Sequence, residues 1–371
     1  MKSSTERILT THTGSLPRPP SLADRHDPAA IRAAVEEIVR LQISAGIDVI
    51  NDGEASKQSY ATYVTERLSG FEGGSVPLQI RGLEDFPEFA AKMQGDRDRE
   101  VMMANPSCNG PVDYLDRTAL EMDIANLKAF AGDAEAFMTA ASPGVIEFFM
   151  PNRYYSSTEE YLFALADAMK HEYDAICQAG LVLQIDCPDL ASAWAIGPER
   201  ALEDFRKEVA QRLEAVDYAT RDISPDRIRI HLCWGNYEGP HHTDISLAHI
   251  IDLVLAARPT AISFEAANPR HEHEWKVFED VKLPEGKVLI PGVLDTTTNY
   301  IEHPDLVAQR IVRYADIVGK TKVIAGSDCG FAPFAEYLIV DPRIAWAKLA
   351  SMAEGARMAS EHLWKTTAQG T

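Results

Sequence analysis

Arg227-Ile-Arg-Ile-His-Leu-Cys233 alternates polar and apolar side chains, and Trp-Gly-Asn-Tyr237 follows it. That alternation has the period of a strand. Residues two apart on a strand point to one face, so His231 and Cys233 aim at a common point. Imidazole nitrogen and thiolate sulfur are ligand types that zinc prefers. Two ligands do not make a site, so further ones must come from elsewhere in the chain.

Working outward, residues 8–12, 47–51, 135–140, 181–186, 260–265, 287–293 and 322–326 read as further short strands. Amphipathic segments separate them: 28–45 with Asp27 as cap and Gly46 as stop, 158–179 with Ser157 as cap, 197–219, 245–257, 304–318 and 343–362. Strands alternating with helices are the pattern of parallel βα units. Eight of them predict an α/β fold, a closed (β/α)8 barrel of the TIM type, formed by residues 1–371 as one domain. Residues 57–116 break the pattern and read as an insertion after the second strand, with a hairpin arm. An open doubly wound sheet is the alternative, but no glycine-rich phosphate loop stands in the right context.

Charge narrows the partners. The 36 basic and 56 acidic residues leave a net charge of −20. That argues against nucleic acid and anionic membrane surfaces as partners. No apolar run approaches membrane-spanning length, and the N-terminus leads into no apolar signal core. Five scattered cysteines fit reduced thiols, so a cytoplasmic location is expected.

In a barrel of this kind chemistry sits at the carboxyl ends of the strands. Those ends carry Ser15, Glu54, Asp186, His231, Cys233, Glu265 and Cys329. His231, Cys233, Glu265 and Cys329 have the donor types and the count of a four-coordinate zinc site. On the residues alone, a core histidine with inert buried thiols is an equal reading.

The stretches Thr10-Thr-His-Thr-Gly-Ser15, Asp48-Val-Ile-Asn-Asp-Gly-Glu54, Gln184-Ile-Asp186, His231-Leu-Cys-Trp-Gly-Asn-Tyr237, Phe264-Glu265 and Asp328-Cys-Gly330 occur in that order. Together they resemble the catalytic barrel of cobalamin-independent methionine synthase. The resemblance implies that His231, Cys233, Glu265 and Cys329 bind Zn2+. It implies that Ser15 lies near the carboxylate of an amino-acid thiol, homocysteine, and that Glu54 and Asp186 hold its ammonium. A methyl group would pass to the thiol from an alkyl donor, methyl-folate in the family.

The departures fall on the donor side. The family's seventh strand ends in Asp-Ile-His, where this chain has Asp295-Thr-Thr297. An Arg-Cys pair becomes Ser107-Cys108, a tryptophan becomes Phe148 or Phe149, and Gly-Leu-Lys-Thr-Arg becomes Gly330-Phe-Ala-Pro-Phe334. These losses weaken the expectation of a methyl-folate donor. His12 is a candidate donor-side acid and Arg18 a candidate partner for an acidic substrate group. His241, His242, His271 and His273 read as solvated loop residues. Epoxyalkane:coenzyme M transferases resemble the same barrel and make thiol alkylation by another electrophile the alternative activity. A non-catalytic zinc or thiol-binding barrel is the alternative from another class.

Overall fold

The computed structural model describes residues 1–78, 80–94, 104–335 and 337–365. Eight parallel strands form one sheet: β1 Leu9–Thr10, β2 Val49–Ile50, β3 Glu135–Ala141, β4 Val182–Asp186, β5 Ile228–Leu232, β6 Ala261–Phe264, β7 Val288–Leu294 and β8 Ile324–Ser327. Neighbours in the sheet are neighbours in the chain, and β1 pairs with β8. The seam between β1 and β2 is bridged by hydrogen bonds. Asp48 N–H donates to Thr10 O at 3.1 Å, Thr10 N–H donates to the Asp48 carboxylate at 2.9 Å, and Thr11 Oγ1 donates to Val49 O at 3.0 Å. The nearly closed (β/α)8 barrel excludes the open doubly wound sheet.

Helix Pro28–Ala45 begins where Asp27 accepts from Ala29 N–H at 2.9 Å and ends at Gly46, whose φ of 85° only glycine adopts freely. Ser157 caps Thr158–Gln178 in the same way. The helix expected from residue 197 begins instead at Leu202, because Gly197 is left-handed and Ala201 extended. The helix expected from residue 245 shortens to Ile251–Ala256, since Ser246 caps a separate tight turn, Leu247–His249. The sequence reading also passed over helix Pro143–Phe149. Ser142 ends β3 and at once accepts from Val145 N–H at 2.8 Å, with Pro143 in the first helical position.

The interior of the barrel carries a charge. Arg229 on β5 donates to Gln184 Oε1 at 2.7 Å, Thr11 Oγ1 at 3.0 Å and His12 O at 2.9 Å, and lies 3.5 Å from the centroid of Phe137. It thus joins β5, β4 and the chain after β1 beneath the mouth. Burial pulls its pKa down to about 9, and Asp186 works the other way.

The stretch 57–116 holds an antiparallel strand pair, Val76–Pro77 with Ala104–Asn105, and a helix, Pro87–Gln94; residues 79 and 95–103 of this expected insertion lie outside the described residues. Both its ends converge on one buried carboxylate. Glu172 accepts from Tyr63 Oη at 2.6 Å and Tyr114 Oη at 2.8 Å, and Arg67 lies 3.2 Å from it and 2.5 Å from Asp123.

The loops after β5 and β6 are fastened together in a similar way. His271, expected to be solvated, is buried and stacks on Trp234 with ring centroids 3.9 Å apart. Its ring nitrogens face Asp244 at 3.0 Å and Glu274 at 3.3 Å, and Asp244 also holds His241 at 2.9 Å. Burial opposes the charge on His271, but the bonds to Asp244 and Glu274 prevail and raise its pKa to about 9.

Two expectations follow. Replacing Glu172 by Leu leaves the buried Arg67 with Asp123 alone and two phenols without their acceptor, which is expected to cost about 3–5 kcal/mol. Limited proteolysis should then cut within 57–116 before the rest of the chain, and cleavage at the wild-type rate would contradict this. The raised pKa of His271 means that the folded state binds its proton more tightly than the unfolded state, whose value is near 6.5. The resulting stability is complete below pH 6.5 and is lost as pH rises through about 9, on the order of 2–3 kcal/mol. In urea titrations the gap between wild type and His271→Gln should shrink across that window, and a constant gap would contradict it.

Candidate metal centre and active site

The strand ends bring the candidate ligands into one buried cluster. A ring nitrogen of His231, Cys233 Sγ and Cys329 Sγ all lie within 4.8 Å of one another. His231 lies on β5, Cys233 directly follows that strand, and Cys329 lies two residues past β8. His231 Nδ1 faces Ser263 Oγ on the paired strand β6 at 3.0 Å. With Nδ1 engaged there, the buried Nε2 has no partner. Burial, then Arg229, holds the His231 pKa down to about 3, so the imidazole is neutral, as a metal ligand must be. Burial and then Cys233 push the Cys329 thiol well up, a burden that coordination would relieve.

Glu265 stands at the edge of this cluster, with Oε1 3.5 Å from Cys329 Sγ. Its oxygens accept from Trp234 N–H at 2.8 Å and from Asn268 Nδ2 at 2.6 Å. Asp328, next to Cys329, holds the loop that bears it: its carboxylate accepts from the N–H groups of Ala266, Ala267 and Asn268 at 2.7, 2.8 and 2.7 Å. Three donors and an unpartnered lone pair of these types fit a zinc ion, with Glu265 in reach as a fourth ligand.

The same cavity is walled by Ser15, Glu54 and Asp186. Glu54 is buried with a left-handed backbone, φ 57°, rare for a side chain of this size. It follows the turn Asp52-Gly53, and Thr139 Oγ1 donates to its Oε1 at 3.0 Å while Oε2 has no partner. Gly14 lets the first loop pass, because a Cβ there would come 2.5 Å from Glu54 Oε1. Burial raises the Glu54 carboxyl pKa; burial and then Glu54 push Asp186 well above the carboxylate range. Two adjacent desolvated carboxyls ask for a cation. Ser15 is buried beside Gly330, where any Cβ would overlap Ser15 Oγ.

The remaining candidates are not brought to the cavity. His12 turns toward helix Pro28–Ala45, with Nε2 2.8 Å from Gln42 Oε1, and burial drops its pKa to about 3. A neutral, turned-away imidazole is no donor-side acid. Arg18 donates to the carbonyls of Glu54, Lys57, Ala55 and Ala332 at 2.9, 2.6, 3.4 and 3.3 Å, so it clasps loops and leaves no fork for a substrate.

Sequence reasoning missed Tyr60, Asn236 and the holding role of Asp328. Tyr60 and Asn236 line the cavity. Tyr60 lies in the stretch read as insertion, and no periodicity marks it. Tyr60 rather than Phe148 or Phe149 faces the cavity; Phe149 packs edge-on to Tyr60, with centroids 6.0 Å apart.

Comparison with known proteins agrees with the barrel fold. The curated methionine synthase of Saccharolobus islandicus is 25% identical over 372 residues, covering 96% of each chain. That of Thermococcus kodakarensis is 24% identical over 335 residues, covering 90% of this chain and 84% of the other. The solved structure of a B12-independent methionine synthase from Shewanella sp. W3-18-1 in complex with selenomethionine shares the fold, with a TM-score of 0.74 at 19% identity over 97% of this chain and 99% of that one. A putative vitamin-B12 independent methionine synthase from Listeria monocytogenes follows, with a TM-score of 0.65 at 18% identity over 95% and 98%. Residues 149–352 match the family described as cobalamin-independent synthase, catalytic domain. That stretch is more than half of the chain and includes every candidate metal ligand, and the chain therefore belongs to the cobalamin-independent methionine synthase family.

Proposed function

We propose that this protein is a zinc-dependent methyltransferase that moves a methyl group to the sulfur of homocysteine, giving methionine. The observation that carries the reading is the cluster of His231, Cys233 and Cys329, whose buried His231 Nε2 has no partner, at the wall of a cavity that also holds two buried carboxyls. A bound zinc ion would lower the pKa of a thiol that coordinates it, supplying the thiolate that neutral solution does not. His231, Cys233 and Cys329 would hold it, with Glu265 as the fourth and most easily displaced ligand. Glu265 already has two hydrogen-bond donors to fall back on, Trp234 N–H and Asn268 Nδ2.

The chain's own residues orient the acceptor. Glu54 Oε2 is buried with no donor, and Asp186 is desolvated beside it. An ammonium placed between them would satisfy both by charge-assisted hydrogen bonds. Ser15 Oγ, on the same wall, is the donor available to the amino-acid carboxylate. A coenzyme M acceptor fits less well: its sulfonate would meet Glu54 and Asp186, and no lysine or arginine lines the cavity among the described residues.

Substituting Cys233 by Ser is expected to remove stoichiometric zinc and to weaken homocysteine binding at least a hundredfold, with the melting temperature little changed. Metal analysis and calorimetry check this, and full zinc with full thiol affinity would refute the metal assignment. The ammonium clamp has its own test. Asp186→Asn should weaken homocysteine binding about 10- to 100-fold, the scale of one or two hydrogen bonds to a charged group. It should leave 4-mercaptobutyrate, which lacks the amine, nearly unaffected. Equal losses for both thiols would remove the clamp.

A further inference from the structure

We infer that Tyr60 is the catalytic acid of this site: its hydroxyl protonates the nitrogen that leaves when an N-methyl amine of the methyl-folate class gives its methyl group to the bound thiol. The inference rests on the methyltransferase reading above and names the residue that serves its second substrate. Such a donor is a neutral tertiary amine, and its nitrogen leaves as an amide anion unless an acid protonates it.

The chain offers no imidazole for this task. Thr297 stands where the family's seventh strand ends in histidine, and it donates both its N–H and its Oγ1 to Asp295 at 2.8 Å. His12 is turned to Gln42, and His241 and His271 are tied to Asp244. His231, the imidazole on the cavity wall, belongs to the metal cluster.

The other polar groups of the wall are engaged as well. Thr13 Oγ1 donates to Ser327 O at 3.1 Å, and Asn236 Nδ2 donates to Gly330 O at 3.0 Å. Ser15 Oγ serves the acceptor's carboxylate. Burial raises the carboxyl pKa of Glu54 and of Asp186, so both can carry protons before the acceptor binds. An ammonium seated between them reverses that, because an adjacent cation favours the ionised form. With the acceptor in place they are therefore not acids.

Tyr60 remains. It lines the cavity with the metal cluster, and among the described residues its hydroxyl has no hydrogen-bond partner. Its ring is held edge-on against Phe149 at 85° and against Phe334 at 69°. Its N–H donates to Pro333 O at 3.3 Å, and Ser59 pairs with Phe334 in a short antiparallel bridge. The loops after β2 and β8 thus fix the ring and leave the hydroxyl free. Burial pushes the phenol well above its usual pKa, so it keeps its proton at neutral pH. The amide nitrogen that leaves is a far stronger base than a phenolate, so the proton still moves to nitrogen.

The step balances. The thiolate's lone pair forms the S–CH3 bond as the C–N bond breaks, and that bond's electron pair takes the Tyr60 proton, giving a secondary amine. Tyr60 is only half-buried, so the phenolate regains a proton from solvent. Over one turnover the proton lost by the acceptor thiol equals the one gained by nitrogen.

The experiment uses the full-length zinc-loaded protein with saturating homocysteine. It compares methyl-tetrahydrofolate, whose nitrogen needs a proton to leave, with iodomethane, whose iodide does not. Tyr60→Phe keeps the ring and removes only the hydroxyl. It should lower kcat with methyl-tetrahydrofolate about 100-fold or more. The KM for that donor, homocysteine affinity by calorimetry and the rate of alkylation by iodomethane should keep their wild-type values. A raised KM with kcat unchanged, or equal losses with both donors, would overturn the inference. So would full kcat in Tyr60→Phe with its loss in Asp186→Asn at saturating homocysteine, the pattern of a carboxyl acid. Wild-type protein that accepts iodomethane but not methyl-tetrahydrofolate would overturn it too, yet leave the thiol half of the methyltransferase reading intact. Failure to bind homocysteine would remove that reading first.

Discussion

Charge buried without a partner is the constraint around which this structure is built. Closing a parallel sheet into a barrel forces the side chains at eight strand ends into one mouth too small to hydrate them. A carboxylate or imidazolium taken out of water loses solvation that only a hydrogen bond, an opposite charge or a metal can replace. Away from the mouth, two buried charges show how such groups are answered within the chain. Arg229 finds three oxygens and a ring face, and Glu172 finds two phenols and a guanidinium. At the mouth the matching stops: His231 Nε2 and Glu54 Oε2 are buried and unpartnered. The fold tolerates these deficits where a ligand can make them good.

A second layer keeps those unanswered groups aimed. Asp328 binds three successive amides of the loop that bears Glu265, and Asn268 links the two carboxylates through one side-chain amide. Trp234 N–H fixes the other oxygen of Glu265, and Trp234 itself is pinned by His271 and by its indole N–H to Ile245 O at 2.6 Å. Removing a tether would free Glu265 to rotate, and the ligand geometry with it, although no tethering atom touches the metal position.

How much of this was legible in the sequence follows from the range of the forces involved. The strands were visible because alternation and apolar runs are local consequences of burial, and caps such as Asp27 and Ser157 announced their helices within three residues. His231, Cys233, Glu265 and Cys329 could be named because barrel geometry ties strand ends to the mouth. His271 was misread because its burial depends on Asp244 and Glu274 arriving from separate turns, and loop composition carries no trace of that. His12 was misread because the chain after β1 turns its ring toward Gln42, a partner thirty residues away. Tyr60 was invisible for the same reason: its place is fixed by pairing with residues 333–335, which no period predicts.

This division has a consequence for specificity. The groups that would grip the thiol and its metal stand on or beside strands, where the sheet register fixes them to their neighbours: His231 opposite Ser263, and Asp186 opposite His231. Tyr60 and Phe334 stand on two loops joined to each other rather than to the sheet ladder. A change in the insertion or in the loop after Cys329 can therefore reshape the donor wall while leaving the acceptor wall and its buried carboxyls in register. On the proposed reading, the residues that would meet sulfur stand on or beside the sheet, and those that would meet the methyl carrier stand on the loops. Loops hold Tyr60 and Phe334 less firmly than strands hold His231, so a change of donor asks less of this fold than a change of acceptor.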